Sequence, residues 1–219
     1  MKFNALLTDL LKIGDLYVMG GALREFRDGG CLANTRDLDI CVNIHMEDLW
    51  LQLLQRYQHT LNRFDGCKFQ CKDFTVDVWD VKNTWAFKQG HVDASAGDYF
   101  EKLPQSVFLN LDAICYDIKN NRWNDSIYVE AIKTHVLDIV LQKNPCIDLN
   151  ILRSMILRRK YDMIYSDKLA DVICSNADSA LIDNLMRIQD KRYGQCVLCE
   201  REITEELMLC DCALNHYNA

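Results

Sequence analysis

The chain has 219 residues, of which 49% are hydrophobic and 26% are charged, and its formal net charge is −7. This composition is that of a globular protein able to bury one core and a small appendage, and it excludes an intrinsically disordered chain. The acidic balance argues against a general nucleic-acid coat protein, although a local basic patch can coexist with it. No uninterrupted apolar run reaches the roughly 18 residues of a membrane span.

The N-terminal residues are amphipathic and include Asp9, whereas the core of a signal peptide is purely apolar. We therefore expect an opening helix over residues 2–13 and a cytoplasmic protein. The cysteines number 11, and an odd count argues against a closed disulfide framework. Most of them are expected to be reduced core side chains.

Hydrophobic periodicity predicts an α/β segment followed by helices. The predicted strands are 16–19, 38–42, 68–72, 74–81, 107–109 and 114–118. The predicted helices are 2–13, 22–27, 46–61, 126–141, 148–160, 167–175 and 179–192.

The most informative stretch contains Gly20-Gly21 and, after a spacer, Asp37-Leu38-Asp39. On a strand, Asp37 and Asp39 would point to one face, and their mutual repulsion would require a cation. Mg²⁺, with its preference for oxygen ligands, fits that requirement and accompanies nucleotide phosphates. The Gly-Gly turn lets backbone amides approach an anion at the start of the next helix. The pattern therefore indicates nucleotide chemistry.

These residues resemble the signature of the DNA polymerase β nucleotidyltransferase superfamily, and within it the head domain of CCA-adding enzymes and bacterial poly(A) polymerases. The matching positions are Gly20, Gly21, Arg24 and Arg36-Asp37-Leu38-Asp39, while Glu25 replaces the usual Asp. The resemblance implies an α+β fold, in which a mixed sheet flanked by helices forms the head (residues 1–122). A helical neck (123–192) and a Cys-rich tail (193–219) would follow.

Two-metal phosphoryl transfer requires a third carboxylate. Asp77 and Asp80 are the candidates, and they lie on opposite faces of the predicted strand. Asp77 is favoured because it matches the Val-Asp-Val context of the family. Asp37, Asp39 and Asp77 would then hold two Mg²⁺ ions.

The resemblance also assigns nucleotide-binding roles. The amides of Gly20 and Gly21, with Arg24, would neutralise phosphate charge, and Arg36 would either orient the acids or contact the substrate. Asp112 replaces a family Asn and would serve either the ribose or the structure.

The start of the predicted neck resembles the segment that selects the base in CCA-adding enzymes. Arg153 matches there, but Ile147 and Asn150 stand where the base-selecting pair is expected. An ordinary CCA-adding activity is therefore not expected. The basic run formed by Arg153, Arg158, Arg159 and Lys160 suggests either a phosphate-binding groove or a solvated helix face.

The C-terminal region contains five soft ligands: Cys196, Cys199, Cys210, Cys212 and His216. A Cys-x-x-Cys pair followed by further ligands is typical of a structural Zn²⁺ site, so the tail is a candidate zinc-binding element. The alternative is a set of reduced cysteines on an amphipathic helix.

The function expected from the resemblance is transfer of a nucleoside monophosphate from a nucleoside triphosphate to an acceptor hydroxyl, with release of pyrophosphate. An RNA 3′ end, such as that of tRNA, is the first candidate acceptor, and a protein or a small molecule are the others. The competing hypothesis is a non-catalytic binding module built on a degenerate head.

Overall fold

The computed structural model describes residues 2–30, 36–62, 65–94 and 97–215, with side chains up to residue 211. The chain divides into two compact units. The first, which we call the sheet unit, comprises Met1–Val107 and Leu111–Tyr128. The second, the helical unit, comprises Phe108–Asn110 and Val129–Ala219.

A seven-stranded mixed sheet organises the sheet unit, with strand order β3-β4-β5-β2-β1-β6-β7. The two central strands, β2 and β5, are parallel, and all other neighbours are antiparallel. The strands are β1 (Gly14–Met19), β2 (Asp37–Ile44), β3 (His59–Leu61), β4 (Cys67–Gln70), β5 (Thr75–Asp80), β6 (Cys115–Asp117) and β7 (Arg122–Asn124).

Helices precede, connect and flank these strands. In the sheet unit they are α1 (Phe3–Ile13), α2 (Gly20–Gly29), α3 (Glu47–Arg56), α4 (Trp85–Lys88) and α5 (Tyr99–Lys102). α1 buries Leu6, Leu10 and Ile13 at helical spacing, and it packs on β1, β2 and α3. This confirms the predicted α+β head with a mixed sheet.

The sheet face to which Tyr17 and Cys41 point carries a buried cluster. Tyr17 on β1 and Cys41 on β2 are buried there in a cluster with Phe100 and Leu103. Because side chains alternate along a strand, Asp37 and Asp39 lie on the same face as Cys41, nearer the start of β2. The fold therefore places the acids at one end of a packed face.

The helical unit contains one two-stranded parallel sheet, β8 (Val136–Leu137) with β9 (Ile164–Tyr165). Its helices are α6 (Ser126–Thr134), which begins in the sheet unit, α7 (Ile147–Tyr161), α8 (Asp167–Ser175), α9 (Leu181–Tyr193) and α10 (Glu200–Asn215). No helix in the described part of the chain has both the length and the apolar character required to cross a membrane.

Three sequence-based predictions of secondary structure were wrong. The helix expected over 46–61 ends at Arg56, and the chain then forms the edge strand β3. The helix expected over 126–141 ends at Thr134, where His135 adopts a positive φ of 55° and β8 follows. The strand expected at 107–109 reduces to a single bridge between Leu109 and Ile139.

Candidate active site

The parallel pairing of β2 with β5 brings three carboxylates to one face of the sheet. Asp39 is the register partner of Asp77, and Asp37 is the partner of Thr75. Directly paired residues point to the same face, and so do residues two apart on one strand. Asp37, Asp39 and Asp77 therefore share a face, which is the arrangement that the sequence predicted for the first two.

Gly20 lies against the second of these acids. It follows β1, whose last residue, Met19, is the register partner of Asp39. Gly20 has a φ of +80°, and a Cβ added there would lie 2.4 Å from Asp39 Oδ2. Any larger residue would therefore be strained and would displace the Asp39 carboxylate. Gly21 has no such constraint, because its added Cβ would approach no atom closer than Arg24 Nη2 at 3.5 Å.

Asp37 is held as a charged carboxylate. Arg36 Nε donates to Asp37 Oδ2 at 2.7 Å, and the hydroxyl of Thr75 donates to Oδ1. Burial acts to raise the pKa of Asp37, but the hydrogen bonds from Thr75 and Arg36 outweigh it, so the pKa lies below its usual value. This contact is the one required for the first of the two roles considered for Arg36, that of orienting the acids.

Asp77 is in a different electrostatic environment. Lys68, its register partner on β4, places Nζ 3.0 Å from Asp77 Oδ2 and 4.0 Å from Asp37 Oδ1. The other oxygen, Asp77 Oδ1, is buried and has no hydrogen-bond partner in the described part of the chain. Burial raises the pKa of Asp77, and the charge of Asp37 adds to this effect, while Lys68 opposes it. The unpaired oxygen is the position at which a further cation would be stabilised.

The acid face fits a hard divalent cation in its donor chemistry. It offers carboxylate oxygens from two adjacent strands, one of them unpaired, beside a backbone turn without side chains. In the side-chain positions described, no three His, Cys, Asp or Glu groups converge closely enough to form a ready-made metal site. Lys68 supplies the compensating positive charge instead.

Asp80, the alternative third acid, is engaged elsewhere. Its carboxylate accepts hydrogen bonds from the Lys82 backbone N–H and from Asn83 Nδ2, each at 3.1 Å. It thereby caps the 3₁₀ turn that follows β5. Because it is three residues from Asp77, it lies on the other face of the strand.

Arg24 and Asp112, two predicted nucleotide-binding residues, contact each other. Arg24 Nη1 lies 2.5 Å from Asp112 Oδ1 and donates to the Leu111 carbonyl at 3.3 Å. Both residues are buried. The pair ties the first turns of α2 to Leu111 and Asp112 within the sheet unit.

Arg153 lies on α7 in the helical unit. Further along the same helix, Arg158 Nε lies 2.6 Å from Glu206 Oε2, and Arg159 Nη2 lies 2.9 Å from Glu202 Oε1. Glu206 is fully buried. These two arginines therefore bind α10, and the interpretation of them as a phosphate groove or as a solvated face was wrong.

The zinc hypothesis gains no support from the described residues. Cys196 and Cys199 are exposed, whereas Cys210 is buried within α10, where burial raises its thiol pKa to about 12. The Cys212 side chain and His216 lie outside the described residues.

Sequence reasoning missed Lys68 and Thr75. Nothing in the sequence of the β3–β4 hairpin distinguishes Lys68, and only the β4–β5 register shows that it is paired with Asp77. Thr75 is two residues from Asp77 on the same strand, but its bond to Asp37 depends on the parallel pairing of two strands more than 30 residues apart.

Solved structures share this fold over nearly the whole chain. A CCA-adding enzyme in complex with ATP has a TM-score of 0.63 at 14% identity, covering 96% of this chain and 52% of the other. A Thermotoga maritima CCA-adding enzyme complexed with tRNA gives the same TM-score and coverage at 13% identity. A tRNA nucleotidyltransferase complexed with a primer tRNA and an incoming ATP analog has a TM-score of 0.59 at 12% identity, covering 91% of this chain and 58% of the other.

These likenesses establish the fold, which is that of tRNA nucleotidyltransferases. The chain spans about half the length of those enzymes. Its sequence matches no protein-family model and no curated protein.

Proposed function

We propose that this protein is a magnesium-dependent nucleotidyltransferase that transfers a nucleoside monophosphate from a nucleoside triphosphate to a hydroxyl at an RNA 3′ end. The observation that carries the proposal is the register of β2 and β5, which puts Asp37, Asp39 and Asp77 on one face beside the Gly20 turn. The fold neighbours include structures with ATP, CTP and tRNA, which supports nucleotide and RNA as ligands.

In this proposal Asp37, Asp39 and Asp77 hold two Mg²⁺ ions. When bound, the ions supply the positive charge that acidifies the attacking hydroxyl and neutralises the triphosphate. Arg36 and Thr75 keep the Asp37 carboxylate charged and oriented. The unpaired Oδ1 of Asp77 is the ligand atom with the most to gain from a cation, because its burial is otherwise uncompensated.

The triphosphate is assigned to the Gly20 side of the acids. Gly20 and Gly21 begin α2, so backbone N–H groups at this helix N-terminus are available to phosphate oxygens. Arg24 is already paired with Asp112, and we assign to this pair the positioning of α2 rather than the charge neutralisation expected from the sequence. We keep as part of the proposal a catalytic head (1–122), a neck (123–192) and a tail (193–219), although the compact units divide after Tyr128 and the helical unit contains both of the last two.

Base selection is proposed to differ from that of CCA-adding enzymes. Ile147 begins α7 and offers no polar side-chain atom, and Asn150 on the same helix is buried. Arg153 remains the residue of this helix assigned to the nucleotide. We therefore expect weak discrimination between triphosphates, since no side chain at 147 can pair with a base edge.

The test is incubation of the protein with each α-³²P-labelled triphosphate, Mg²⁺ and total RNA. Wild type is compared with a Asp37→Asn/Asp39→Asn double variant and with Asp80→Asn as the matched carboxylate control. We expect labelled RNA from wild type and from Asp80→Asn, and a loss of at least roughly a thousandfold in the double variant. Equal labelling in all three proteins would refute the assignment of the acids.

A binding module without catalysis is the second candidate, and one observation favours it. Lys68 already neutralises Asp77, as a structural ion pair would. This candidate predicts triphosphate binding without label transfer to RNA, protein or small molecules. Chromatographic separation of the labelled products distinguishes these acceptors.

A further inference from the structure

The sheet unit carries a cavity of about 720 Å³ at the β3–β4 edge of the sheet. Three of the described residues that line it are cationic and a fourth is a histidine, and no acidic residue is among them. They are Lys2, Arg56, His59 and Lys68. In a chain of net charge −7 this lining is cationic and attracts anions, although Arg56 and Lys68 share part of their charge with Asp9 and Asp77.

Lys68 connects this cavity with the carboxylates. It lines the cavity, and its Nζ lies 3.0 Å from Asp77 Oδ2. Asp77 lies on β5, which is the neighbour of β4, whereas Asp37 and Asp39 lie one strand further away, on β2. Asp77 is therefore on the strand nearer to the cavity. The Gly20 turn lies on the far side of β2, at the end of β1.

In-line phosphoryl transfer separates the incoming and leaving groups on opposite sides of the α-phosphate. If the pyrophosphate leaves toward the Gly20 turn, the attacking hydroxyl arrives from the β5–β4 side. We propose that the cavity lined by Lys2, Arg56, His59 and Lys68 binds the phosphodiester backbone of the acceptor RNA strand. The inference rests on the proposed function and adds to it the place of the acceptor.

The lining residues differ in how much charge they offer. Arg56 Nη1 is 2.8 Å from Asp9 Oδ2, so part of its charge is compensated within the fold. His59 Nδ1 lies 3.0 Å from the Tyr57 carbonyl. Since a carbonyl only accepts, Nδ1 carries a proton in this contact, and Nε2 is the ring nitrogen left for another partner. Lys2 is exposed at the N-terminus of α1 and is the lining cation most simply replaced.

The lining also includes groups suited to a nucleotide strand. Tyr57 supplies an aromatic ring, and Thr60 and Gln70 supply polar side chains. Aromatic rings beside cations are typical of single-strand sites, where bases stack and phosphates pair. Inorganic phosphate has no base to stack, so it would contact the cationic side chains of the cavity and make no use of the Tyr57 ring.

The test measures the anisotropy of a fluorescein-labelled single-stranded RNA whose 3′ hydroxyl is blocked, at several salt concentrations. Lys2→Glu is compared with Lys119→Glu, which makes the same charge change after β6, at the other end of the sheet. We expect Lys2→Glu to weaken RNA binding by roughly tenfold and to lower the salt slope by about one, and Lys119→Glu to leave both unchanged. Lys2→Ala and His59→Gln should give smaller losses in the same direction.

Parallel titrations with ATP and Mg²⁺ and with inorganic phosphate identify the ligand. ATP binding that is unchanged in Lys2→Glu supports the acceptor assignment. Weakened ATP or phosphate binding with unchanged RNA binding overturns it, as does RNA binding that is indifferent to both cavity substitutions. If the wild-type protein binds RNA through the cavity but does not bind ATP, the cavity remains an RNA-binding site and the proposed function is refuted.

Discussion

Lys68 Nζ lies 3.0 Å from Asp77 Oδ2, directly across the antiparallel pair formed by β4 and β5. The fold thus contains a cation at the carboxylate to which the proposed function assigns a metal ion. Side chain and metal would compete for the same negative charge, because a carboxylate paired with an ammonium is a weaker metal ligand.

The first prediction concerns this competition. In EDTA, Lys68→Met should lower the free energy of unfolding by roughly 1–3 kcal/mol, because Asp77 loses its partner while buried. Mg²⁺ should then raise the melting temperature of the variant more than that of wild type. Lys88→Met, which removes an exposed pair with Asp65, is the control and should change stability by about 0.5 kcal/mol or less. Equal Mg²⁺ shifts in all three proteins would contradict the competition.

The second prediction compares two glycines of α2. Gly20→Ala should destabilise the protein by roughly 1–3 kcal/mol, because Gly20 has a positive φ and its added Cβ collides with Asp39. Gly29→Ala meets no atom within 4 Å and should be neutral or stabilising by up to about 1 kcal/mol. Urea unfolding measures both, and a Gly20→Ala protein as stable as wild type would show that the turn is not constrained as described.

The third prediction separates the two acids of β5. Asp80→Ala should cost about 1 kcal/mol of stability through the lost cap and leave nucleotide transfer within a few fold. Asp77→Asn should abolish transfer. It should leave stability nearly unchanged, because the neutral amide replaces a buried carboxylate of which Lys68 pairs with only one oxygen. The reverse outcome in the label-transfer and unfolding assays would make Asp80 the third acid.

How much of this site the sequence could predict depends on how local each relationship is. Asp37 and Asp39 are two residues apart on one strand, so their common face follows from strand geometry alone. The alternation around Asp77 likewise placed it on a strand. That Asp77 joins the other two depends on which strand pairs with β2 and in which register, and the residue pattern does not contain that information.

The errors have the same origin. Leu53 and Leu61 have helical spacing, but Leu61 is 66% exposed on the edge strand β3, where it has no core to face. Arg24 and Asp112 are 88 residues apart in the chain, so the sequence pattern does not show that they pair with each other. The sequence therefore predicted a nucleotide contact for each of them. Arg158 and Arg159 form a basic run in the sequence, because the acids that neutralise them lie more than 40 residues further along the chain.

The fourth prediction concerns acid stability. Hydrogen bonds from Lys12, Tyr57 and Arg56 lower the pKa of Asp9 to about 2 from its usual 3.8. A lowered carboxyl pKa contributes stability that is present above about pH 4 and is lost as the pH falls toward 2. Asp9→Asn should therefore cost about 1 kcal/mol at neutral pH, since solvent screens a partly exposed pair, and almost nothing at pH 2. A constant difference across this range, measured by urea unfolding, would contradict the assignment.

The most direct test of the central claim is anomalous diffraction from crystals grown with Mn²⁺ and a non-hydrolysable ATP analogue. We predict manganese peaks bounded by Asp37, Asp39 and Asp77, with the phosphates at the Gly20 turn and Lys68 withdrawn from Asp77. Manganese and nucleotide bound away from these residues, or Lys68 still paired with Asp77 beside an ordered nucleotide, would contradict it.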